Sequence, residues 1–463
     1  MSNTKSYFFC GIGGSGMLPL ATILAEQGAE VAGSDRALDQ GRLGAKFEYL
    51  QARGMDLFAQ DGSGLTRGEQ ILVASAAVED SVPDVAKAKA LGCARMTRAQ
   101  LLAELFNASP RSVAVGGTSG KSTVTGMIGW IASELSCDPT IMNGAVMRNF
   151  ADAEAPFASS RVGKGGLFIS EVDESDGSIA LFQPEIAVLN NITLDHKSLD
   201  ELRQLFGDFA ARATCTVWNA DDPESVALMK GKPKAVSFGF AENADYRAVD
   251  LVEAPLSVEF RLLVKGAEYA VKLAVPGRHN AANALAALAA SGALGLDLER
   301  AVAAIGQYKG LARRFEIIGT MRDITVIDDF GHNPDKISAT LDTLKAFPGR
   351  VIAFFQPHGF GPLRVMGKEL AEVFAAKLDK EDRLFLCDPV YFGGTVDKSI
   401  GSDSVVADVN RMGTVHAQHI ADRAECAQQM VDVAMPGDRI VIMGARDDTL
   451  SAFAAEILEN LRR

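Results

Sequence analysis

Few residues in this 463-residue chain are aromatic or sulfur-bearing, and basic residues are outnumbered. Aromatic side chains make up 7% of it, with two tryptophans, and six histidines are scattered along its length. The six cysteines, Cys10, Cys93, Cys137, Cys215, Cys387 and Cys426, stand singly, with no C-x-x-C pair. That spacing excludes a disulfide framework or a thiolate zinc site read from sequence, and reduced, mostly buried thiols are expected. Lysine and arginine number 46 against 59 acidic residues, a net charge of -13. Such a balance argues against a surface built for the nucleic-acid backbone or an anionic membrane. Long hydrophobic runs are also missing, and MSNTKSYFFCGIGG shows neither a signal-peptide nor a twin-arginine pattern. A cytoplasmic protein with no nucleic-acid and no membrane partner is the expectation.

What is present falls into three segments, each opening on a strand. SYFFC (6–10) ends in GIGGSG and is followed by the helical pattern MLPLATILAEQGA and a second strand, EVAGSD; ILVAS (71–75) reads as another strand of the same parallel sheet. The polar stretch FNASPRS (106–112) reads as a linker. SVAVGG (112–117) opens a second region, in which GLFISEVDESD and EIAVLNNITLDH are strands ending in charged residues and PGRHNAANALAALAA is a helix of small and apolar residues. A second break falls near KGLARRFE (309–316), after which TVIDDF, RVIAFFQ, RLFLCD and DRIVIMGA alternate with helical patterns. Three α/β domains are therefore expected, over 1–107, 108–312 and 313–463.

Two glycine-rich turns carry the chemistry. GIGGSG, with Gly11, Gly13 and Gly16, fits G-x-G-x-x-G between a strand and a helix, and Asp35 lies where a ribose-binding acid would. Alone this suggests a dinucleotide, but the same glycines admit any diphosphate at a helix N-terminus, and a purely structural turn is the plain alternative. VAVGGTSGKST (113–123) resembles a phosphate-binding loop whose first glycine is replaced by Val115. Backbone amides of Thr118 to Lys121 can cradle phosphate, Lys121 can reach the β- and γ-phosphates, and Ser122 can place its hydroxyl on Mg²⁺. A bland glycine turn has no need of Lys and Ser side by side.

Further candidates stand at strand ends. SEVDESD (170–176) gathers Glu171, Asp173, Glu174 and Asp176, and NNITLDH (190–196) offers His196. Acidic turns and lone histidines are more often structural, yet ligands of open α/β sheets bind at the carboxyl ends of strands. HNAAN (279–283) has two side-chain amides that can read a base edge. IDDFGHNP (327–334) and FQPHGFGPLR (355–364) supply Asp329, His332, His358 and Arg364, while Arg313 and Arg314 sit at the second break. HAQH (416–419) has ligand-like spacing but no acidic partner pattern, and reads as an ordinary polar face.

In this order, GTSGKST, EVDESD, NNITLDH, GRHNAANALAA, RRFE, DDFGHNP and FQPH resemble the Mur ligase family across nearly the whole chain. These are ATP-dependent enzymes that form amide bonds in cell-wall precursor synthesis, and their short loop, G-T-x-G-K-[ST], accounts for Val115. GIGGSG with GSD is similar to the branch whose acid is UDP-N-acetylmuramate and whose amine is an amino acid or a recycled peptide. The resemblance implies a Rossmann-like UDP-sugar-binding domain, a central P-loop ATPase-like domain with a parallel-rich sheet, and a Rossmann-like C-terminal domain for the amine and part of ATP. It also implies ATP, Mg²⁺ at two sites, an ADP-forming ligase acting through an acyl phosphate, and a monomer or homodimer. Carried over, ATP falls to Gly117, Thr118, Ser119, Gly120, Lys121, Ser122, Thr123, Asn280, Asn283, Arg313, Arg314 and Asp329. The UDP-sugar falls to Gly11, Gly13, Gly14, Ser15, Gly16, Met17, Ser34, Asp35, Glu174 and Ser175. Ser122, Glu171 and His196 would hold metal, His358 and Arg364 the amine, and Lys121, Glu171, His196, His332 and His358 would carry catalysis.

The departures are specific. Where the alanine-adding enzymes have H-R-[FY]-T-R-T-R, this chain reads HGFGPLR, with Gly359 and Pro362 in place of two arginines expected to hold an amino acid's carboxylate. Losing a bidentate clamp is not conservative. GARDDTL stands where G-A-G-N-I-G is expected. An amine other than L-alanine, or one held by different contacts, is a live alternative, and a peptide acceptor another. From outside the family, an NAD-dependent oxidoreductase would explain GIGGSG and Asp35 but leave Lys121 idle, and a non-catalytic nucleotide-binding protein would explain the altered C-terminal motifs.

Overall fold

A computed structural model describes residues 5–462 apart from 77, 195, 196, 391–396, 414, 446 and 448. Contacts divide the chain into two compact units, Met1–Val252 with Val258–Ala274 and Arg278–Leu311, and Glu253–Ser257 with Val275–Gly277 and Ala312–Arg463. The first unit contains two sheets and the second unit one.

In the first sheet, β1 (Ser6–Cys10), β2 (Glu30–Ser34), β3 (Asp56–Phe58), β4 (Ile71–Ala74) and β5 (Arg95–Thr97) are ordered β3-β2-β1-β4-β5. All the pairings are parallel. The order reverses at β1, so the loop leaving its carboxyl end lies in the crevice where open α/β sheets take ligands. Phe8 and Phe9 point to opposite faces and are both fully buried, as a strand covered on two sides requires. GIGGSG spans the turn into the helix Met17–Glu26.

The second sheet is larger. Its strands are β6 (Arg111–Gly116), β7 (Thr140–Met142), β8 (Ser160–Arg161), β9 (Leu167–Glu171), β10 (Ile186–Leu189), β11 (Cys215–Asn219), β12 (Ala235–Gly239), β13 (Tyr246–Ala254), β14 (Ser257–Val264) and β15 (Ala267–Leu273). They run β15-β14-β13-β12-β11-β10-β6-β9-β7-β8, with β6 paired in parallel to both β9 and β10. Val113, Ala114 and Val115 are fully buried, so the loop between β6 and the helix Lys121–Glu134 springs from the middle of the core. That helix packs on Arg278–Ala293, and two of its glycines make room for other neighbours. A Cβ at Gly126 would lie 2.8 Å from the Tyr308 hydroxyl, and one at Gly129 would lie 2.6 Å from Ile141 Cδ1.

The segment FNASPRS, expected as a linker, is partly structured: the helix Arg98–Asn107 takes its start and β6 its end, leaving three connecting residues. The expectation also passed over β13–β15, an edge whose period-two burial is plain in Ser257–Val264.

In the second unit, β16 (Glu316–Met321), β17 (Ile324–Asp329), β18 (Val351–Gln356), β19 (Arg383–Leu386), β20 (His416–His419) and β21 (Arg439–Gly444) run β16-β17-β21-β18-β19-β20. All pair in parallel except the edge pair β16 and β17, which is antiparallel. HAQH, read as a polar face, is the strand β20, and His419 Nε2 lies 2.7 Å from Asp388 Oδ1. The acidic partner comes from the end of the neighbouring strand, which sequence spacing does not reveal.

Candidate active site

The loop after β6 is shaped by two glycines. Gly117 has φ +140 and Gly120 φ +78, and a Cβ at Gly120 would fall 2.4 Å from Asn190 Nδ2 and 2.7 Å from Asn283 Oδ1. No L side chain fits there without displacing both. Helix Lys121–Glu134 begins at once, and its first-turn amides have no intrahelical acceptors, which suits an anion. Thr118 and Ser119 differ: their amides donate to the Asn191 carbonyl (3.1 Å) and Asn191 Oδ1 (2.9 Å). Asn190 Nδ2 donates to the Ser119 carbonyl at 2.9 Å and to Asn283 Oδ1 at 3.2 Å, and Asn283 Nδ2 to Asn280 Oδ1 at 3.3 Å. The amides of Asn280 and Asn283, expected to read a base, are thus knitted to the loop from beneath. Asn190 and Asn191 lie inside a motif the sequence pointed to, but only the pairing of β6 with β10 brings them under the loop.

Two side-chain pairs close over this loop. Lys121 Nζ donates to the Gly117 carbonyl and to Glu174 Oε2, both at 2.7 Å, and Glu174 is 4% exposed. Glu174, grouped with UDP-sugar residues by sequence, is placed at the loop lysine. Ser122 Oγ donates to Glu171 Oε2 at 2.6 Å, and Asn143 Nδ2 donates to the Ser122 carbonyl at 2.9 Å. A Cβ at Gly144 would come within 2.0 Å of Glu171 Oε1, so this glycine leaves the room the carboxylate occupies. Ser122 and Glu171 present oxygen donors, the type that Mg²⁺ prefers alongside phosphate oxygens and water. Thr123 follows in the helix's first turn. His196 lies outside the described residues; among those described, no group of three or more His, Cys, Asp or Glu side chains could hold a metal.

At GIGGSG, Asp35 Oδ2 accepts from the Gly13 amide at 2.9 Å and Oδ1 from the Ala37 amide at 2.8 Å, so this acid pins the turn and caps a short helix. Gly11 and Ile12 amides donate to the Ser34 carbonyl. The Ser34 side chain is fully buried, its hydroxyl 2.5 Å from Asp84 Oδ2, and burial pushes the Asp84 carboxyl up. Gly14, Ser15, Gly16 and Met17 line a cavity of about 400 Å³ with Arg98, Asn143 and Glu171. A contiguous one of about 160 Å³ has Arg98, Lys121, Glu171 and Asp173 in its wall. Ser175 is exposed and donates through its amide (2.9 Å) and hydroxyl (2.7 Å) to Asp173 Oδ1. Burial pushes the Asp173 carboxyl up, but these bonds and the charges of Lys121 and Arg98 outweigh it and hold the carboxyl low. Arg98 and Asn143 were missed by sequence reasoning, since neither belongs to a recognisable motif.

The second unit carries its own cluster. Arg313 is buried with φ +59; its guanidinium lies 3.4 Å from Asp328 Oδ1 and donates to the carbonyls of Gly444 (2.7 Å) and Asp447 (3.1 Å). Both guanidiniums lie over the Phe330 ring, 5.1 and 4.9 Å from its centroid, but Arg313 is spent inside the unit whereas Arg314 is half-buried. Asp329 accepts from the amides of Phe315 and Gly331 at 2.8 Å and from Thr340 Oγ1 at 3.0 Å. His332 Nδ1 is 3.0 Å from the Phe330 carbonyl, which can only accept, so that nitrogen bears the proton. Burial lowers the His332 pKa to about 4, leaving a neutral ring stacked edge-to-face on His358 with centroids 5.2 Å apart. Arg364 Nη1 donates to Asp397 Oδ2 at 2.8 Å. In GARDDTL, Asp447 accepts from Gln356 Nε2 at 2.7 Å and Arg423 Nη1 at 2.9 Å, a lock available because this loop bears a carboxylate.

The sequence matches the Mur ligase family, catalytic domain, over residues 6–110, the Mur ligase middle domain over 115–291, and the Mur ligase glutamate ligase domain over 313–446. The chain belongs to the Mur ligase family, whose members are three-domain α/β, ATP-dependent and ADP-forming ligases of peptidoglycan synthesis. This displaces the NAD-dependent reading of GIGGSG. A UDP-N-acetylmuramate–L-alanine ligase of Streptomyces coelicolor is 32% identical over 455 residues, covering 95% of each chain. Among solved structures, the UDP-N-acetylmuramate–alanine ligase of Thermotoga maritima superposes with TM-score 0.79 at 24% identity, covering 98% of each chain. A murein peptide ligase of Psychrobacter arcticus superposes at 0.70 with 22% identity over 99% of each. No described helix is long and apolar enough to cross a membrane.

Proposed function

We propose that the chain joins the carboxylate of UDP-N-acetylmuramate to the amine of an amino acid. The observation that carries this is the paired arrangement over one loop: Lys121 held by the buried Glu174, and Ser122 held by Glu171. A carboxylate attacking the γ-phosphate brings anion to anion. Lys121, released from Glu174 by the arriving phosphates, supplies positive charge where it builds up. Ser122 and Glu171 present the oxygens that would hold Mg²⁺, with His196 expected from the family resemblance to serve a second ion, and the metal would supply further positive charge there. The new O–P bond gives an acyl phosphate as ADP leaves; the deprotonated amine then attacks the acyl carbon and phosphate departs. Closure of domains 1–107, 108–312 and 313–463 would shield that intermediate from water. His332, neutral through its burial, and His358 would line the amine's side.

The identity of the amine admits a second reading. With Gly359 and Pro362 in place of two arginines, and Arg364 bonded to Asp397, a free amino-acid carboxylate finds one committed cation in this motif. A peptide, or an amino acid bound elsewhere, fits as well as L-alanine. The test is phosphate release from ATP and Mg²⁺ across a grid of UDP-sugar carboxylic acids against amino acids and short peptides. Release that requires UDP-N-acetylmuramate and one particular amine supports the reading and names the acceptor; release with no UDP-sugar in the grid, despite tight ATP binding, sinks it.

A further inference from the structure

In the glycine-rich turn of the first domain the amides of Gly11, Ile12, Gly13 and Gly14 are bonded within the protein, which leaves a diphosphate the amides of Ser15 and Gly16 and the exposed Ser15 hydroxyl, and no charged side chain. The helix Met17–Glu26 that follows has no side-chain cap and no acidic residue in its first turn, but its Met17 and Leu18 amides donate to the Gly14 carbonyl and Pro19 has no N–H, so its dipole lends positive potential without a free donor or a full charge. Arg98 stands against it. A Cβ at Gly16 would fall 2.8 Å from Arg98 Cδ and 3.3 Å from both Nε and Nη1, so glycine at 16 makes room for the guanidinium beside the turn. The backbone that aims this side chain is fixed: Arg98 opens the helix Arg98–Asn107, whose capping box ties Thr97 Oγ1 to the Gln100 amide at 3.1 Å and Gln100 Oε1 to the Thr97 amide at 2.8 Å.

Nearby Arg95 is committed to Asp80 at 2.7 Å, whereas Arg98 is half-buried and makes no hydrogen bond or ion pair among the described residues. It lines the 400 Å³ cavity with Gly14, Ser15 and Gly16. A half-buried guanidinium that faces a cavity without a hydrogen-bond partner, with the Asp173 carboxylate near enough to feel its charge, is a group that can take an anion arriving from outside.

We propose that Arg98 is a positioning residue that grips the diphosphate of the acid substrate at Gly14–Gly16, fixing the distance from that anchor to Lys121. The assignment rests on the ligase reading above. Charge-assisted hydrogen bonds to a phosphate make its loss worth roughly ten- to a hundredfold in affinity. The probe is UDP, which carries the diphosphate without the reacting carboxylate, titrated calorimetrically into the full-length protein, R98M and R98K. The expected result is a ten- to hundredfold weaker UDP affinity in R98M with R98K between. KM for UDP-N-acetylmuramate should rise by a similar factor, while kcat and ATP affinity stay within about threefold. Unchanged UDP affinity in R98M overturns the proposal and leaves the ligase reading standing, and a collapse of kcat with UDP affinity intact does the same by moving Arg98 to the carboxylate. A wild-type protein that ligates another acid and binds neither UDP nor UDP-N-acetylmuramate would overturn the substrate reading and the proposal together.

Discussion

Replacing Gly144 with alanine adds one carbon at the most crowded point of the proposed metal site. The new Cβ would lie 2.0 Å from Glu171 Oε1 and 3.3 Å from Ser122 Oγ, so the carboxylate must retreat by roughly 1.4 Å to reach van der Waals separation. Glu171 Oε2, 2.6 Å from Ser122 Oγ, moves with it and that bond breaks. The backbone itself accepts alanine, because Gly144 is not among the residues with positive φ, so the loss of folding stability is that of the crowding alone, about 1–3 kcal/mol, and the fold is kept. A 1 Å misplacement of a group that orients reactants costs on the order of 10² in rate, about 2.7 kcal/mol of barrier. Steady-state ADP formation by G144A should therefore fall about a hundredfold, and half-saturation should need more Mg²⁺. Gly44, exposed with open space around its Cβ position, supplies the control: G44A should match wild type. Wild-type kcat and Mg²⁺ dependence in G144A would refute the claim that the Ser122–Glu171 geometry matters.

Further expectations concern the same loop and the second unit. K121A should lose roughly 10²–10³-fold in ADP formation and also some 2–4 kcal/mol of stability in urea, since it strands the buried Glu174 carboxylate. K121A/E174Q should recover the stability and none of the turnover; recovery of neither would mean that the pair does not set the lysine's energetics. For His332, the pKa falls from 6.5 to about 4 on folding because burial disfavours the charged ring. The unfolded chain then takes a proton below pH 6.5 that the folded one refuses until about pH 4, so this histidine costs stability as pH falls through that window. Discounted for its partial exposure, the effect is about 1–2 kcal/mol. H332Q should show a shallower loss of urea midpoint between pH 7 and 4.5 than wild type, and parallel slopes would disprove the assignment.

Part of the candidate site is legible in local sequence. Lys121 and Ser122 could be named from the loop because a phosphate cradle demands its residues at consecutive positions, and Glu171 from its place at a strand's carboxyl end. Glu174, by contrast, was grouped with the sugar nucleotide, because sequence gives no sign that it bends back to within 2.7 Å of Lys121. Arg313 and Arg314 are adjacent and chemically identical on paper. Both lie over the Phe330 ring, but the fold buries Arg313 on Asp328 and on carbonyls more than a hundred residues away, and leaves Arg314 half-buried. Ser34 lies at the end of β2 beside the glycine turn, yet its hydroxyl faces inward to Asp84, fifty positions on.

The sequence by itself determined the strands and helices that flank the two glycine-rich turns, and the turns themselves, though not the edge strands β13–β15 or β20. Each of these is a local matter: apolar periodicity, glycine where φ must be positive, and side chains at fixed spacing along one segment. The tertiary structure alone decided which distant side chains meet: Asn190 and Asn191 beneath the loop, Gly144 beside Glu171, and Arg98 against Gly16. Those meetings depend on which strands are neighbours in the sheets and which helix follows them. Parallel pairing is fixed by long-range burial of apolar faces, so no short stretch of sequence records it.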